Sequence, residues 1–353
     1  MRRAMMAALL AAVCGCGGGG LGGGDGGGGS GGTADMALNG DLSTSLPDMS
    51  RAAACMPAGG TMRAQYVWNS LLVPMQRSDY AMDLNGDGRV DNQFGNIVGA
   101  LVGQALDPQG DATKAVMSGQ SLTLVDEHAD DLTTDDCAAS DVEAATAMAA
   151  PDFSGSGHFT VDATATAGHF AGPIAASKFS SVPAPADAAT PVIVTVPLPL
   201  FGGVTKIDLV GAHVSYTRGA DGEITGGQLN GAIRNADVQS KIVPSWAAAM
   251  TAEVQANPSS SMSMQLLSIF DNGGKSDAAC AAGTCKNPDN SCAVKGDNKI
   301  DTCELATSGL ITNLLAPDVQ MFDAGGNYHP SPDNTMKDSM SIGLGFSAVP
   351  ATF

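Results

Sequence analysis

Apolar and polar positions change period several times along the chain, and each change marks an element. Residues 65–74 form an apolar run ended by Pro74, which reads as a strand. Across residues 92–106, Phe94, Ile97, Val98, Leu101, Val102 and Ala105 recur at helical spacing. From residue 119 to 233 the pattern turns to strands. Residues 121–125, 158–161, 192–196 and 205–216 alternate or run β-branched between Gly and Pro punctuation. Residues 168–174 and 227–233 share the pattern Gly-x-apolar-x-Gly-x-Ile, which puts Phe170 with Ile174, and Leu229 with Ile233, on one strand face each. Asp221-Gly222 marks a hairpin turn between Tyr216 and Ile224. Residues 235–256 read as a helix, with Val238, Ile242, Trp246, Met250 and Val254 in a core-facing stripe that crosses Pro244 in register, so a kink is expected there. A further helix carries Leu305, Leu310, Ile311, Leu314 and Leu315 and stops before Pro317. Alternation of Met340, Ile342, Leu344 and Phe346 closes the chain as a strand over 339–346.

These elements predict an α+β fold: an antiparallel, sandwich-like β-sheet packed with helices. The expected organisation is a signal segment over residues 1–16, a tether over 17–56, and a single domain over 57–353. Aromatics make up only 5% of the 353 residues, so the core must rest largely on aliphatic side chains. A 44% hydrophobic content excludes a wholly disordered chain.

The N-terminus changes the picture. Met1-Arg2-Arg3 is basic, and residues 4–13 are an apolar run too short to span a bilayer as a helix, so the start reads as an export signal. In Val13-Cys14-Gly15-Cys16, Cys16 has an aliphatic residue three before it and a small one just before it. This resembles the lipobox of bacterial lipoproteins, which implies lipidation of Cys16 and, with Gly17 following, placement at the outer membrane or cell surface. Residues 17–32 are nearly all glycine, with no apolar period to offset the entropy of ordering.

Asp83-Leu84-Asn85-Gly86-Asp87-Gly88-Arg89-Val90-Asp91 carries the clearest chemistry. Side-chain oxygens alternate at Asp83, Asn85, Asp87 and Asp91, with the backbone carbonyl of Arg89 between, the order in which an EF-hand loop surrounds calcium. Gly88 supplies the positive-φ turn, and Val90 is expected to pin the loop to the core. The loop has no full entering helix, in which it resembles dockerins. Position 12, normally Glu or Asp, is Phe94, so Asn92, Gln93, Asn96 or water must complete the shell, and affinity is expected to be weak.

A second stretch, Asp297, Asp301 and Glu304, matches positions 5, 9 and 12 of such a loop, while Ala293 and Lys295 stand where side-chain oxygens are needed. Asp271 as the true first residue, with a cysteine-rich insertion after it, or Asp289, would repair the gap; a disulfide-braced turn without calcium is the rival. Of the six cysteines beyond Cys16, four (Cys280, Cys285, Cys292, Cys303) are bunched, predicting two local disulfides and leaving Cys55 to pair with Cys137. No C-x2-C knuckle supports zinc.

Thirty-six acidic residues against 17 basic ones give a net charge of −19, which argues against a nucleic-acid partner. His128, His158, His169, His213 and His329 form no metal-spaced pair, and no G-x-S-x-G elbow occurs. The acidic run around Asp126 and Asp130 leaves a secreted hydrolase as the alternative to a non-catalytic envelope protein that binds another envelope protein or a glycan. With its lipobox, glycine tether, calcium-type loop, Gly-Gly-Gln-Leu-Asn-Gly-Ala-Ile strand and Leu-Leu-Ala-Pro-Asp-Val ending, the chain resembles a group of uncharacterised myxobacterial lipoproteins carrying EF-hand- or dockerin-like calcium loops. The resemblance implies outer-envelope placement and an EF-hand-like element and carries no activity; the residues themselves place calcium-type loops near 83–94 and 271–304, the second departing from the family pattern by its insertion around Cys280 to Cys292.

Overall fold

A computed structural model of the chain describes residues 60–102, 107–147, 149–182, 190–200, 203–271, 273, 275–333 and 335–353. The expected signal segment, Cys16, the glycine tether and Cys55 lie outside them. The strands are β1 (Met62–Leu72), β2 (Leu122–Ala129), β3 (Asp135–Thr146), β4 (Gly157–His158), β5 (Thr160–Val161), β6 (Gly168–Ala175), β7 (Lys178–Ser180), β8 (Ile193–Leu200), β9 (Gly203–Arg218), β10 (Ile224–Arg234) and β11 (Ser339–Thr352). The helices used below are α1 (Gln93–Val102), α2 (Pro108–Met117), α3 (Val243–Ala256), α4 (Ser261–Phe270), α5 (Lys275–Ala281), α6 (Thr302–Thr307) and α7 (Gly309–Leu314).

The fold is mixed α+β, dominated by one large antiparallel sheet. Its strands run β1-β2-β3-β6-β7-β9-β10-β11, and β11 pairs back onto β1, so the ladder closes on itself. Here the structure departs from the sandwich-like arrangement. The 14-residue β11 is long enough to pair with β10 along Ser339–Ala348 and with β1 along Gly345–Pro350, which leaves the main ring without an open edge. β5 and β8 add to β3 and β9, and β4 pairs in parallel with the end of β11.

Alternation on the strands builds the core. Trp68 of β1 stacks on Phe346 of β11 with centroids 4.3 Å apart, Tyr216 of β9 lies 6.4 Å beyond, and Phe179 of β7 is 5.3 Å from Tyr216. Such contacts add roughly 0.5–1.5 kcal/mol each beyond burial, which offsets the scarcity of rings. Phe170, Ile174, Leu229 and Ile233 are all buried, as their shared spacing predicts.

The expected helix over 235–256 is built in pieces. A short turn (Asn235–Asp237) and a π-helical stretch (Val238–Ile242) lead into α3, where Pro244 occupies the first turn. The helical run is continuous from residue 235 to 256, and the wider π-helical stretch just before Pro244 is where the ladder adjusts to its missing N–H. Val238, Ile242, Trp246, Met250 and Val254 are buried as a stripe. The two local disulfides are Cys280–Cys292 and Cys285–Cys303. Cys137 is also disulfide-bonded, and Cys55, the partner expected for it, is outside the described residues.

Candidate metal centre

The stretch from Met82 to Asp91 folds as a tight arch whose ends meet in a β-bridge. Asp83 organises it. Its Oδ1 accepts the N–H groups of Gly86 at 2.7 Å and Asp87 at 3.2 Å, and its Oδ2 accepts that of Gly88 at 2.8 Å. Positive φ at Gly86 (79°) and Gly88 (80°) turns those amides toward it, a conformation that a side chain would strain. Asn85 Oδ1 accepts from Asp87 N–H, and Asp87 Oδ1 accepts from Arg89 N–H at 2.8 Å. Asp91 is 2% exposed and holds the arch shut by accepting Leu84 N–H at 3.2 Å.

The arch is fastened to the sheet by residues that the loop pattern does not single out. Leu84 is buried against Val210, Ala232, Val319, Met321 and Tyr328, whereas Val90 is 50% exposed. The anchor is therefore position 2, not Val90 at position 8. Asn230 of β10 donates to Tyr80 O, and Gly343 of β11 passes so close that a Cβ there would lie 1.9 Å from the same oxygen. Asn92 caps α1: its Oδ1 accepts Gly95 N–H at 2.9 Å, while its Nδ2 donates to Asp79 O and Gly343 O. That use removes Asn92 from the residues able to close a cation shell. Asn96 points to solvent, and Gln93 Nε2 lies 3.5 Å from Leu314 O. Phe94 is core, packed with Ile97 and Val98.

Charge is concentrated here. Burial pushes the Asp91 carboxyl up to about 6, against the Leu84 N–H that favours its ionised form, and Asp318, Asp87 and Asp83 raise it further. Arg77 Nη2 reaches within 3.8 Å of Asp91 Oδ1. Asp318 accepts Ser341 N–H and O–H, and Ser341 Oγ in turn accepts Gln93 N–H, so the first turn of α1 and this acidic group share one strand residue.

Asp83, Asn85 and Asp87 suit a hard cation chemically. Backbone amides occupy three acceptor sites on Asp83, where a carboxylate has about four, and one each on Asn85 Oδ1 and Asp87 Oδ1. Among the described residues, no group of three or more His, Cys, Asp and Glu side chains is arranged to hold a metal ion, so this arch would depend on amide and backbone oxygens as well.

Asp297, Asp301 and Glu304 lie elsewhere, at the start of α6. Asp301 caps that helix and Glu304 reaches back to Asp301 N–H at 2.9 Å in a capping box. Asp271, at the end of α4, accepts the N–H groups of Gly296 and Asn298, which joins it to this stretch. Asp289 instead accepts from Ser291 in an exposed turn. Burial, then Asp271, Asp301 and Asp297, push Glu304 up to about 7.

The acidic run does not converge. Asp126 makes a two-point ion pair with Arg63 and lies 3.3 Å from His128 Nε2, while Asp130 accepts Thr61 N–H. Glu127 turns the opposite way, fully buried with Arg218 Nε 3.1 Å from its Oε2. His169 pairs with Asp141 at 2.8 Å. No protein-family model, no curated protein and no solved structure matches the chain.

Proposed function

We propose that the chain is an exported, lipid-anchored envelope protein in which calcium braces a non-catalytic β-domain, used at the cell surface for binding or scaffolding. The observation that carries this reading is the Asp83 arch, where one carboxylate gathers three successive amides and sets Asn85 and Asp87 around the same turn. Such wiring supports reading the stretch as an EF-hand-like loop. Calcium there would be held by Asp83, Asn85, Asp87 and the Arg89 carbonyl, with water completing the shell in place of a twelfth-position carboxylate. The ion would offset the mutual repulsion of Asp83, Asp87 and Asp91 and so tighten the arch against β10, β11 and α1.

Export is supported by the lipobox-like Cys16, the glycine tract after it and the paired cysteines between 280 and 303. The partner class is an envelope protein or a glycan. The hydrolase alternative gains no support from geometry, because Asp126 and Asp130 face separate structural partners. Calcium titration by calorimetry tests the reading. The full chain is expected to bind calcium with a dissociation constant on the order of 10⁻⁴–10⁻³ M at this loop. Asp83→Ala with Asp87→Ala should abolish that binding, and unchanged binding would reject the site.

A further inference from the structure

Two stretches of this chain, unlike in length, share one hydrogen-bond register. In the first arch Gly86 N–H meets Asp83 Oδ1 across a separation of 3 residues. In the second, Gly296 N–H meets Asp271 Oδ1 across a separation of 25. Gly88 N–H bonds Asp83 Oδ2 at 2.8 Å, and Asn298 N–H bonds Asp271 Oδ2 at 3.0 Å. Asp87 Oδ1 accepts from Arg89 N–H at 2.8 Å, and Asp297 Oδ1 accepts from Lys299 N–H at 2.9 Å. Backbone torsions agree as well: φ is 79° at Gly86 and 74° at Gly296, then 80° at Gly88 and 60° at Asn298. Asn298, among the side chains best able to enter the left-handed region, stands where the first arch has glycine.

The flanks are more complete in the second case. Helix α4 enters directly at Asp271 and α6 leaves after Asp301. Ile300 is buried and exchanges two hydrogen bonds with Thr251 of α3, through its N–H at 2.9 Å and its carbonyl at 3.0 Å. The insertion begins after Asp271 and carries α5. Cys280–Cys292 braces it internally, and Cys285–Cys303 ties it to α6.

Register alone would describe a structural turn. Glu304 goes further: it is 4% exposed, and its Oε1 has no hydrogen-bond partner among the described residues. Only Oε2 serves the cap. The charges that bear most on this side chain are those of Asp271, Asp301 and Asp297. A buried acceptor left open beside three more carboxylates is costly unless a proton or a cation joins them.

We infer that Asp271, Asp297, Asp301 and Glu304 form a second, split calcium site, with the Lys299 carbonyl as a further ligand and the disulfide-braced insertion looped out between its first residue and the rest. Position 3 is Lys295, so that oxygen comes from water. As they stand these four carboxylates are not arranged around one centre: each is tied to backbone amides, and calcium would have to draw Glu304 Oε1 and the aspartates together. The inference does not rest on the first arch, whose ligands are a separate set.

Calorimetric titration of the full chain with calcium chloride separates the two. Protein carrying Asp83→Ala and Asp87→Ala is expected to retain one calcium. Adding Glu304→Gln should remove it, and adding Asp271→Asn should weaken it at least tenfold. No calcium bound by the folded Asp83/Asp87 variant would overturn the split site. If that variant does not fold, Glu304→Gln alone decides. One calcium fewer than the parent supports the inference, and an equal number overturns it. A parent that binds a single calcium, lost on Glu304→Gln, would support the split site while rejecting the first arch.

Discussion

At the scale of single residues, two side chains in the first arch divide the work against expectation. Leu84 is buried and Val90 faces water, although a loop of this type usually packs its eighth position inward. Leu84→Ser should therefore destabilise the protein by about 2–4 kcal/mol, while Val90→Ser should change stability by no more than about 0.5 kcal/mol in urea unfolding. The misreading of Val90 has a physical source. In an EF-hand pair the eighth residues meet across two loops, whereas this arch meets the sheet and offers its second residue to β9 and β10. A second prediction concerns Glu127, which burial pushes up to about 7 from its ordinary 4.5 despite the Arg218 beside it. The native state then holds a proton that the unfolded chain has released, so stability falls as pH rises from about 4.5 to 7. Glu127→Gln should flatten that slope in urea titrations at pH 5 and 8. An unchanged slope would mean that Arg218 keeps Glu127 ionised throughout.

Elements were legible where their period was strong and local. Most strands between 121 and 233, the stripe of α3 and the closing strand announce themselves by alternation or by intervals of four. The strand β3 does not. Its sequence, Asp-Asp-Cys-Ala-Ala-Ser-Asp-Val-Glu-Ala-Ala-Thr, alternates small residues with acids and offers little β-branched signal, yet Ala138, Ser140, Val142 and Ala144 point inward. Helix α2 carries a start signal in Asp107, whose carboxylate accepts Gly110 N–H at 2.8 Å ahead of Pro108, but no apolar stripe marks the turns that follow. Asn92 carried the same kind of signal and does cap α1. Asn92→Ala should cost roughly 1 kcal/mol in thermal unfolding. Gly343→Ala should cost more, about 1–3 kcal/mol, because its Cβ would strike Tyr80 O and lift the start of the arch from β11. Calcium affinity at the first arch should weaken in that variant while far-UV circular dichroism stays unchanged.

At the scale of the whole molecule, ring closure was not legible, because β1 and β11 lie at opposite ends of the described chain and no local pattern encodes their pairing. The paired cysteines between 280 and 303 were, since four closely spaced cysteines leave few alternatives. The candidate site was half legible. Alternating oxygens from Asp83 to Asp91 identify the arch, but Asn230, Gly343 and Leu84, which seat it, are set by register between distant strands. On the proposed reading, calcium would act as a brace between a loop, a helix and the seam of a closed sheet. The most direct test is thermal unfolding of the full chain in excess calcium and in EDTA. At a hundredfold excess over the dissociation constant, one site adds about 2.7 kcal/mol, or a rise in Tm of roughly 5–10 °C. The account predicts that rise and its reduction by Asp83→Ala with Asp87→Ala; coincident melting curves in calcium and EDTA would contradict it.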